Sequence, residues 1–135
     1  MTDSGNELPA LRRRRLFGLD FVDDVSPDRV VEVLRSLEGS APADGQLPLV
    51  VTPNVDQLVK LERSENSLAR SIVQRAAIVL PDGQPIVWAS RLLDAPLRSR
   101  LAGSSLVAAL WPTIVADRRP VLLVLSSDHL AALVR

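Results

Sequence analysis

The chain has 135 residues, 16 basic and 16 acidic side chains and no cysteine. This length fits one domain with a hydrophobic core, and the balanced charge argues against a general nucleic-acid-binding protein, which normally carries a basic excess. The absence of cysteine excludes disulfides, thiol nucleophiles and zinc sites with thiolate ligands. Because His129 is the only histidine, zinc sites built from several histidines are excluded as well.

The chain begins with a polar stretch that we predict to be a disordered leader, residues 1–14, followed by one domain over residues 15–135. The basic run Arg12–Arg15 closes this leader and is typical of a solvated segment, although it could also contact an anionic membrane. No apolar run reaches the roughly 20 residues that span a bilayer, and no signal-peptide pattern follows the start. A cytoplasmic protein is therefore expected.

Short apolar runs alternate with segments of helical periodicity along the rest of the chain. The runs predict four strands, at residues 16–22, 47–51, 76–80 and 121–125. The helical segments lie at residues 26–38, 54–61, 68–73, 86–93, 106–115 and 127–134. Ser26, Asn54 and Ser127 are the expected N-caps, Gly39 is an expected stop, and Pro112 should kink or break its helix. This alternation predicts an α/β fold, a mainly parallel Rossmann-like sheet flanked by helices.

In such sheets ligands bind beyond the carboxyl ends of the strands, which directs attention to Thr52–Asn54, Pro81–Gly83 and the loop around Ser126. Asn54 could be a helix cap or a hydrogen-bonding group for a sugar. Asp82 could bond its own turn or act as a general base. Arg100 could be a solvated surface residue or hold a phosphate. No dinucleotide fingerprint or P-loop is present, and a hydrolase triad within residues 126–129 is disfavoured because adjacent residues seldom face one another.

Four segments, taken in order, resemble the WecG/TagA/CpsF family of bacterial glycosyltransferases. They are Leu16-Phe17-Gly18-Leu19, the stretch Val50–Asp56, the stretch Ala77–Gly83 with Ile86–Ser90 after it, and Arg100-Leu101-Ala102-Gly103. The resemblance covers about residues 15–125. It also implies that the domain is incomplete, because family members are typically longer, so a short paralogue and a piece of a longer enzyme both remain open.

The resemblance implies transfer of an N-acetylmannosamine-type sugar from a UDP-sugar to N-acetylglucosamine on a polyprenyl-diphosphate, in surface polysaccharide or teichoic acid synthesis. By motif, Asp82 would be the general base and Arg100 would steady the diphosphate. Thr52, Asn54, Gly83 and Gly103 would bind substrate. No cofactor, metal or nucleic-acid partner is implied, while contact with the inner face of the plasma membrane and a homo-oligomer are left open. The alternative is a non-catalytic module that binds a nucleotide-sugar or a partner.

Overall fold

The computed structural model describes residues 11–23, 25–39 and 45–133. Within these residues the sheet has four strands, β1 (Arg13–Leu16), β2 (Leu19–Val22), β3 (Leu47–Val51) and β4 (Ala76–Val79), in the spatial order β1-β2-β4-β3. β4 pairs in parallel with both β2 and β3, and β1 pairs antiparallel with β2. The prediction of a mainly parallel α/β sheet is confirmed. Most of the predicted leader, residues 1–10, lies outside the described residues.

The helices connect and follow the strands. Their bounds are α1 (Pro27–Ser36), α2 (Val55–Leu61), α3 (Ser67–Gln74), α4 (Gln84–Leu92), α5 (Gly103–Ala116) and α6 (Asp128–Leu133), with a short 3₁₀ turn at Ser64–Asn66 between α2 and α3. The Ser26 hydroxyl accepts a hydrogen bond from the Arg29 N–H at the start of α1. The Ser127 hydroxyl likewise accepts one from the Leu130 N–H, 3.3 Å away. Both predicted caps are confirmed.

The predicted single strand over residues 16–22 is wrong, because this segment turns back on the basic run before it. Phe17 and Gly18 both have positive φ, 52° and 72°, which is the backbone of the tight two-residue turns that join antiparallel strands. The run Arg12–Arg15 is therefore largely strand β1 and not a solvated lead-in. Arg13 reaches across the sheet and donates to the Ala77 carbonyl at 2.9 Å.

The core is divided between the two faces of the sheet, as expected for strands without polar alternation. On one face Phe21 and Val79 pack with residues of α2 and α4. On the other face Val22 and Ile78 pack with residues of α1 and α5. Neighbouring residues of one strand thus point into opposite halves of the core. Helices on both faces leave the carboxyl ends of the parallel strands as the open edge of the sheet.

Two predictions for the carboxyl-terminal third need correction. Pro112 lies inside α5 and does not break it, while a kink at this position stays a prediction. The carbonyl that Pro112 leaves unpaired belongs to Ala108, on an exposed turn where water can hydrate it. Val121–Leu125 forms no strand, and all five side chains are exposed. A strand requires a hydrogen-bonding neighbour, and no described strand pairs with this segment. In the described part of the chain, none of the helices has the length and apolar character to cross a membrane.

Candidate active site

Backbone hydrogen bonds bring three loops together at the carboxyl ends of β3 and β4. The Asp82 N–H donates to the Pro53 carbonyl at 3.2 Å, and the Leu101 N–H donates to the Pro81 carbonyl at 2.9 Å. The loop after β3, the loop after β4 and the segment before α5 therefore lie side by side. This is the edge at which parallel α/β sheets bind ligands.

Asp82 lies directly before α4 and is half-buried. Among the described residues, no donor or cation contacts its carboxylate. Gly83, at φ 121°, lets the chain enter α4, whose first turn has no side-chain cap. The turn-residue interpretation requires the carboxylate to bond its own loop, and that bond is absent from the described contacts. The carboxylate lies near the N-terminus of α4, which is the positive end of the helix dipole.

Thr52 and Gly103 are in close contact where the end of β3 meets the start of α5. A Cβ placed on Gly103 would lie 2.7 Å from the Thr52 Oγ1, so only glycine lets the two segments approach this closely. The Ala102 N-cap has no side-chain hydrogen bond to offer. The first N–H groups of α5 therefore stay available to an anion beside Thr52.

We expect Gly103→Ala to lower the free energy of unfolding by about 1–2 kcal/mol, because the added methyl group must displace Thr52 from a packed position. Urea titration of the variant measures the loss. Ser104→Ala, at the next and exposed position of α5, should change stability by less than about 0.5 kcal/mol. If the Thr52→Ala/Gly103→Ala double variant is no more stable than Gly103→Ala alone, the contact does not cause the loss.

Arg100 is exposed, but the segment that carries it is fixed on the protein. Leu97 is 1% exposed, and its N–H donates to the buried Ser90 hydroxyl at 2.9 Å. The Arg98 N–H donates to the Asp23 carboxylate at 2.7 Å. These bonds set the backbone position of Arg100, whose guanidinium has no described partner. In particular, it forms no ion pair with Asp82.

Asp23 is a site residue that sequence reasoning missed. Its side chain is fully buried after β2, at the same edge of the sheet, and it holds the loop that leads to Arg100. One Oδ atom accepts the Arg98 N–H, and the other lies 3.6 Å from the Arg12 Nε. A signal was present in the sequence, since an aspartate directly follows an apolar run.

We expect Asp23→Ala to lower the free energy of unfolding by about 2–3 kcal/mol, because the partly buried Arg98 N–H loses a charged acceptor. Asp23→Asn keeps an acceptor oxygen and loses only the attraction to the half-exposed Arg12, so its cost should be about 1 kcal/mol or less. Thermal or urea unfolding compares the two variants. Equal losses in both would show that the carboxylate charge, and not the hydrogen bond, holds the loop.

Asn54 is engaged as a helix cap. Its side-chain oxygen accepts from the Gln57 N–H at 2.9 Å, and the Gln57 side chain accepts from the Asn54 N–H at the same distance, a reciprocal capping box. The cap interpretation is thereby confirmed. The side-chain amide nitrogen of Asn54 makes no described hydrogen bond, and Asn54 is an exposed residue. Asn54 can therefore cap α2 and still donate to a ligand.

Among the cavities that the described residues form, two adjoin β3 in different places. The first, about 440 Å³, is next to the end of β3 and is lined by residues that include Thr52, Gln57 and Lys60. Asp82 and Arg100 do not line it. The second, about 350 Å³, lies between α1, β3 and α5 and includes Leu34 and Ile114 in its walls. Across residues 11–23, 25–39 and 45–133, no three side chains of the metal-binding types cluster closely enough to hold an ion.

The sequence profile of the Glycosyl transferase WecG/TagA/CpsF family matches residues 14–135. The chain belongs to this family. The match covers both partners of the hairpin, the open edge of the sheet and the helices around it. It confirms the resemblance found in the four sequence segments.

A curated protein is similar to this chain over most of its length. It is the N-acetylglucosaminyldiphosphoundecaprenol N-acetyl-beta-D-mannosaminyltransferase of Bacillus spizizenii, 27% identical over 114 residues. The aligned region is 84% of this chain and 42% of the relative. The chain thus spans less than half the length of the curated relative that it matches.

Proposed function

We propose that this protein transfers an N-acetylmannosamine-type sugar from a UDP-sugar to N-acetylglucosamine carried on a polyprenyl-diphosphate. The observation that carries the proposal is the Asp82 carboxylate, which is half-buried at the carboxyl end of β4 and has no described partner. Family membership and the activity in the name of the Bacillus spizizenii relative support the choice of donor and acceptor.

In this proposal Asp82 is the general base. A sugar hydroxyl does not ionise at neutral pH, so its proton must leave while the new bond forms. The acceptor oxygen attacks the anomeric carbon, its proton passes to the Asp82 carboxylate, and the bond from that carbon to the UDP oxygen breaks. UDP leaves with the electron pair of that bond and gains negative charge.

The positive groups around Asp82 suit that leaving group. Arg100 offers a planar set of donors that matches a diphosphate, and the first turn of α5 presents uncapped N–H groups beside Thr52. The backbone that carries Arg100 and the start of α5 are both held in place before the reaction, which limits the reorganisation needed as charge develops. Thr52, Asn54, Gly83 and Gly103 are the substrate-binding residues in this proposal.

Membership of a surface-polysaccharide enzyme family and a lipid-linked acceptor support a location at the inner face of the plasma membrane, in the cytoplasm. This location is part of the proposal. The Arg12–Arg15 run is not its basis, because Arg13 and Arg15 are already engaged with Ala77 and Asp20 within the sheet.

A second candidate is a module that binds a nucleotide-sugar or a partner without transferring the sugar. The exposed run Val121–Leu125 favours it, since consecutive exposed apolar side chains are typical of a surface that another polypeptide covers. The first candidate transfers the sugar and the second does not. A module that binds a nucleotide-sugar would use the same site.

A transfer assay with labelled UDP-N-acetylmannosamine and a short-chain lipid-diphosphate acceptor tests the proposal. We expect a labelled disaccharide-lipid product and release of UDP. UDP binding near Asp82 without any product would establish the binding module instead. Product formed equally well by the Asp82→Asn variant would overturn the proposed role of the carboxylate.

A further inference from the structure

Asp23 and Ser90 are the two buried polar residues in the described part of the chain. They lie on different elements, because Ser90 belongs to α4 and Asp23 directly follows β2. Both side chains nevertheless accept a hydrogen bond from the same short segment, residues 97–101. The Leu97 N–H donates to the Ser90 hydroxyl at 2.9 Å, and the Arg98 N–H donates to the Asp23 carboxylate at 2.7 Å. Two consecutive amides of this segment are therefore held from the interior of the protein.

The segment 97–101 crosses the open edge of the sheet between two buried leucines. Leu97 packs into the half of the core beside α2 and α4, and Leu101 packs into the half beside α1 and α5. The Leu101 N–H also donates to the Pro81 carbonyl at 2.9 Å. The three residues between the leucines are exposed. Arg100 is therefore carried by a short exposed stretch that is anchored in the core at both ends.

The burial of Asp23 is unfavourable for the fold in itself. Its side chain is fully buried, and its Oδ2 atom accepts no hydrogen bond in the described structure. A buried carboxylate with incomplete partners costs free energy that an apolar side chain would not. Arg12 lies 3.6 Å from Oδ2 but is partly exposed, so it offsets only part of that cost. A gain in stability is therefore a poor explanation for this aspartate, whereas a fixed segment 97–101 is its direct consequence.

The position of the Arg100 side chain depends on this backbone. Arg100 is exposed, and among the described residues no acceptor contacts its guanidinium. In the proposed reaction the guanidinium binds the diphosphate of UDP. A displacement of a reacting or stabilising group by about 1 Å can reduce a rate about 100-fold. The hydrogen bonds at the neighbouring amides therefore determine how well Arg100 meets the diphosphate.

We propose that Asp23 and Ser90 are positioning residues for sugar transfer and that both act through Arg100. Each side chain keeps one amide of the segment 97–101 in place, so the guanidinium reaches the diphosphate without first ordering its own backbone. Neither side chain touches the substrate in this proposal. The inference rests on the proposed function, because it assigns the two residues to the diphosphate site of that reaction.

Ser90→Ala removes the acceptor of the Leu97 N–H. We expect kcat/KM for the UDP-sugar to fall about 10- to 100-fold, because a small displacement of Arg100 weakens its contact with the diphosphate. Circular dichroism verifies that the variant is folded. Faster hydrogen exchange of the Leu97 amide shows that the hydrogen bond has been removed.

Ser36→Ala is the matched control for this substitution. The Ser36 hydroxyl donates to the Val33 carbonyl at 2.7 Å, which is the same bond to the carbonyl three residues earlier that Ser90 makes with Val87. Ser36 lies at the end of α1 and holds no amide of the segment 97–101 in the described contacts. Its replacement should leave transfer within about twofold of the parent rate.

A double-variant cycle with Arg100→Ala separates positioning from a general loss of stability. If Ser90 acts through Arg100, Ser90→Ala/Arg100→Ala should transfer sugar at the rate of Arg100→Ala, within about twofold. If Ser90 only stabilises the fold, the two losses should multiply, and that result would overturn the proposal. Asp23→Ala is measured in the same cycle, with rates compared at equal folded fraction from urea titration. Asp23→Asn should recover most of its loss, because the amide oxygen still accepts the Arg98 N–H.

The positioning role and the proposed function fail in different ways. Transfer and UDP affinity that stay at the parent level in Ser90→Ala, although the Leu97 amide exchanges faster, would overturn the positioning role and leave transfer intact. A parent chain that binds UDP but forms no product would refute transfer. The same cycle is then measured as UDP affinity, which Ser90→Ala should weaken about tenfold through Arg100. A chain that binds no UDP would contradict both proposals.

Discussion

Asp82→Asn should reduce the rate of sugar transfer about 100- to 10,000-fold, the range associated with loss of general-base catalysis. The amide occupies nearly the same volume as the carboxylate but cannot accept the acceptor's proton. Since the Asp82 side chain makes no described hydrogen bond, the substitution removes no structural contact. The free energy of unfolding and the affinity for UDP should therefore change little. Initial rates at saturating donor, with UDP binding measured separately, check both expectations.

Asp94→Asn is the matched control for this substitution. Asp94 is exposed just after α4 and has a positive φ of 53°, a conformation that asparagine adopts well. Its replacement removes the same charge near the same helix without touching the open edge of the sheet. Equal rate losses in the two variants would mean that net charge, and not proton transfer at Asp82, determines the effect.

Arg100→Ala should lower the transfer rate about 100- to 1,000-fold, the usual effect of removing a group that stabilises developing charge. The guanidinium faces the developing negative charge of UDP in the proposed reaction, and its backbone is fixed by the bonds at Leu97, Arg98 and Leu101. Arg100→Lys should recover only part of the rate, because a lysine keeps the charge but loses the planar pair of donors. Rates and UDP affinity measured for both variants test this expectation.

Arg118→Lys controls for a general effect of arginine replacement. Arg118 follows α5 at the opposite end of that helix from Gly103 and is exposed. Its substitution should leave transfer within about twofold of the parent rate, as expected of surface positions. If Arg100→Lys behaves in the same way as Arg118→Lys, Arg100 does not contact the diphosphate.

The sheet could be predicted from the sequence wherever a strand is buried on both faces. Leu47–Val51 and residues 76–80 are continuous apolar runs, and both form strands within one residue of the predicted bounds. Their helices were marked by caps with a clear chemical signal, Ser26 and Asn54. At these strands and caps, the local side-chain chemistry and the burial favour the same secondary structure. The prediction therefore required no tertiary information.

The hairpin could not be predicted as readily, because three of the four residues of its first strand are arginines. Arg13–Leu16 has no apolar alternation, and it is a strand because the Phe17–Gly18 turn reverses the chain onto β2. β1 is an outer strand of the sheet, and its Arg13 side chain donates a hydrogen bond to the Ala77 carbonyl of β4. A positive φ is uncommon for a phenylalanine, so the residue type at position 17 does not predict this turn.

Val121–Leu125 shows the opposite error. Its residues favour a strand by composition, yet the described structure offers it no neighbour, so the pattern alone gave the wrong state. At the site, the positions of Asp82, Arg100, Thr52 and Gly103 follow from the topology that the sequence predicted. Asp23 was missed because its importance comes from a bond to residue 98, 75 positions away in the chain.

A titration of the isotope-labelled chain with UDP, followed by heteronuclear NMR, tests most directly whether a sugar-nucleotide binds at this edge of the sheet. We expect chemical-shift changes at the amides of Gly83, Gln84, Gly103 and Ser104, at the starts of α4 and α5. The shifts should weaken in Arg100→Ala. Changes confined to the cavity between α1 and α5, or none at any UDP concentration, would contradict a sugar-nucleotide site at this edge of the sheet.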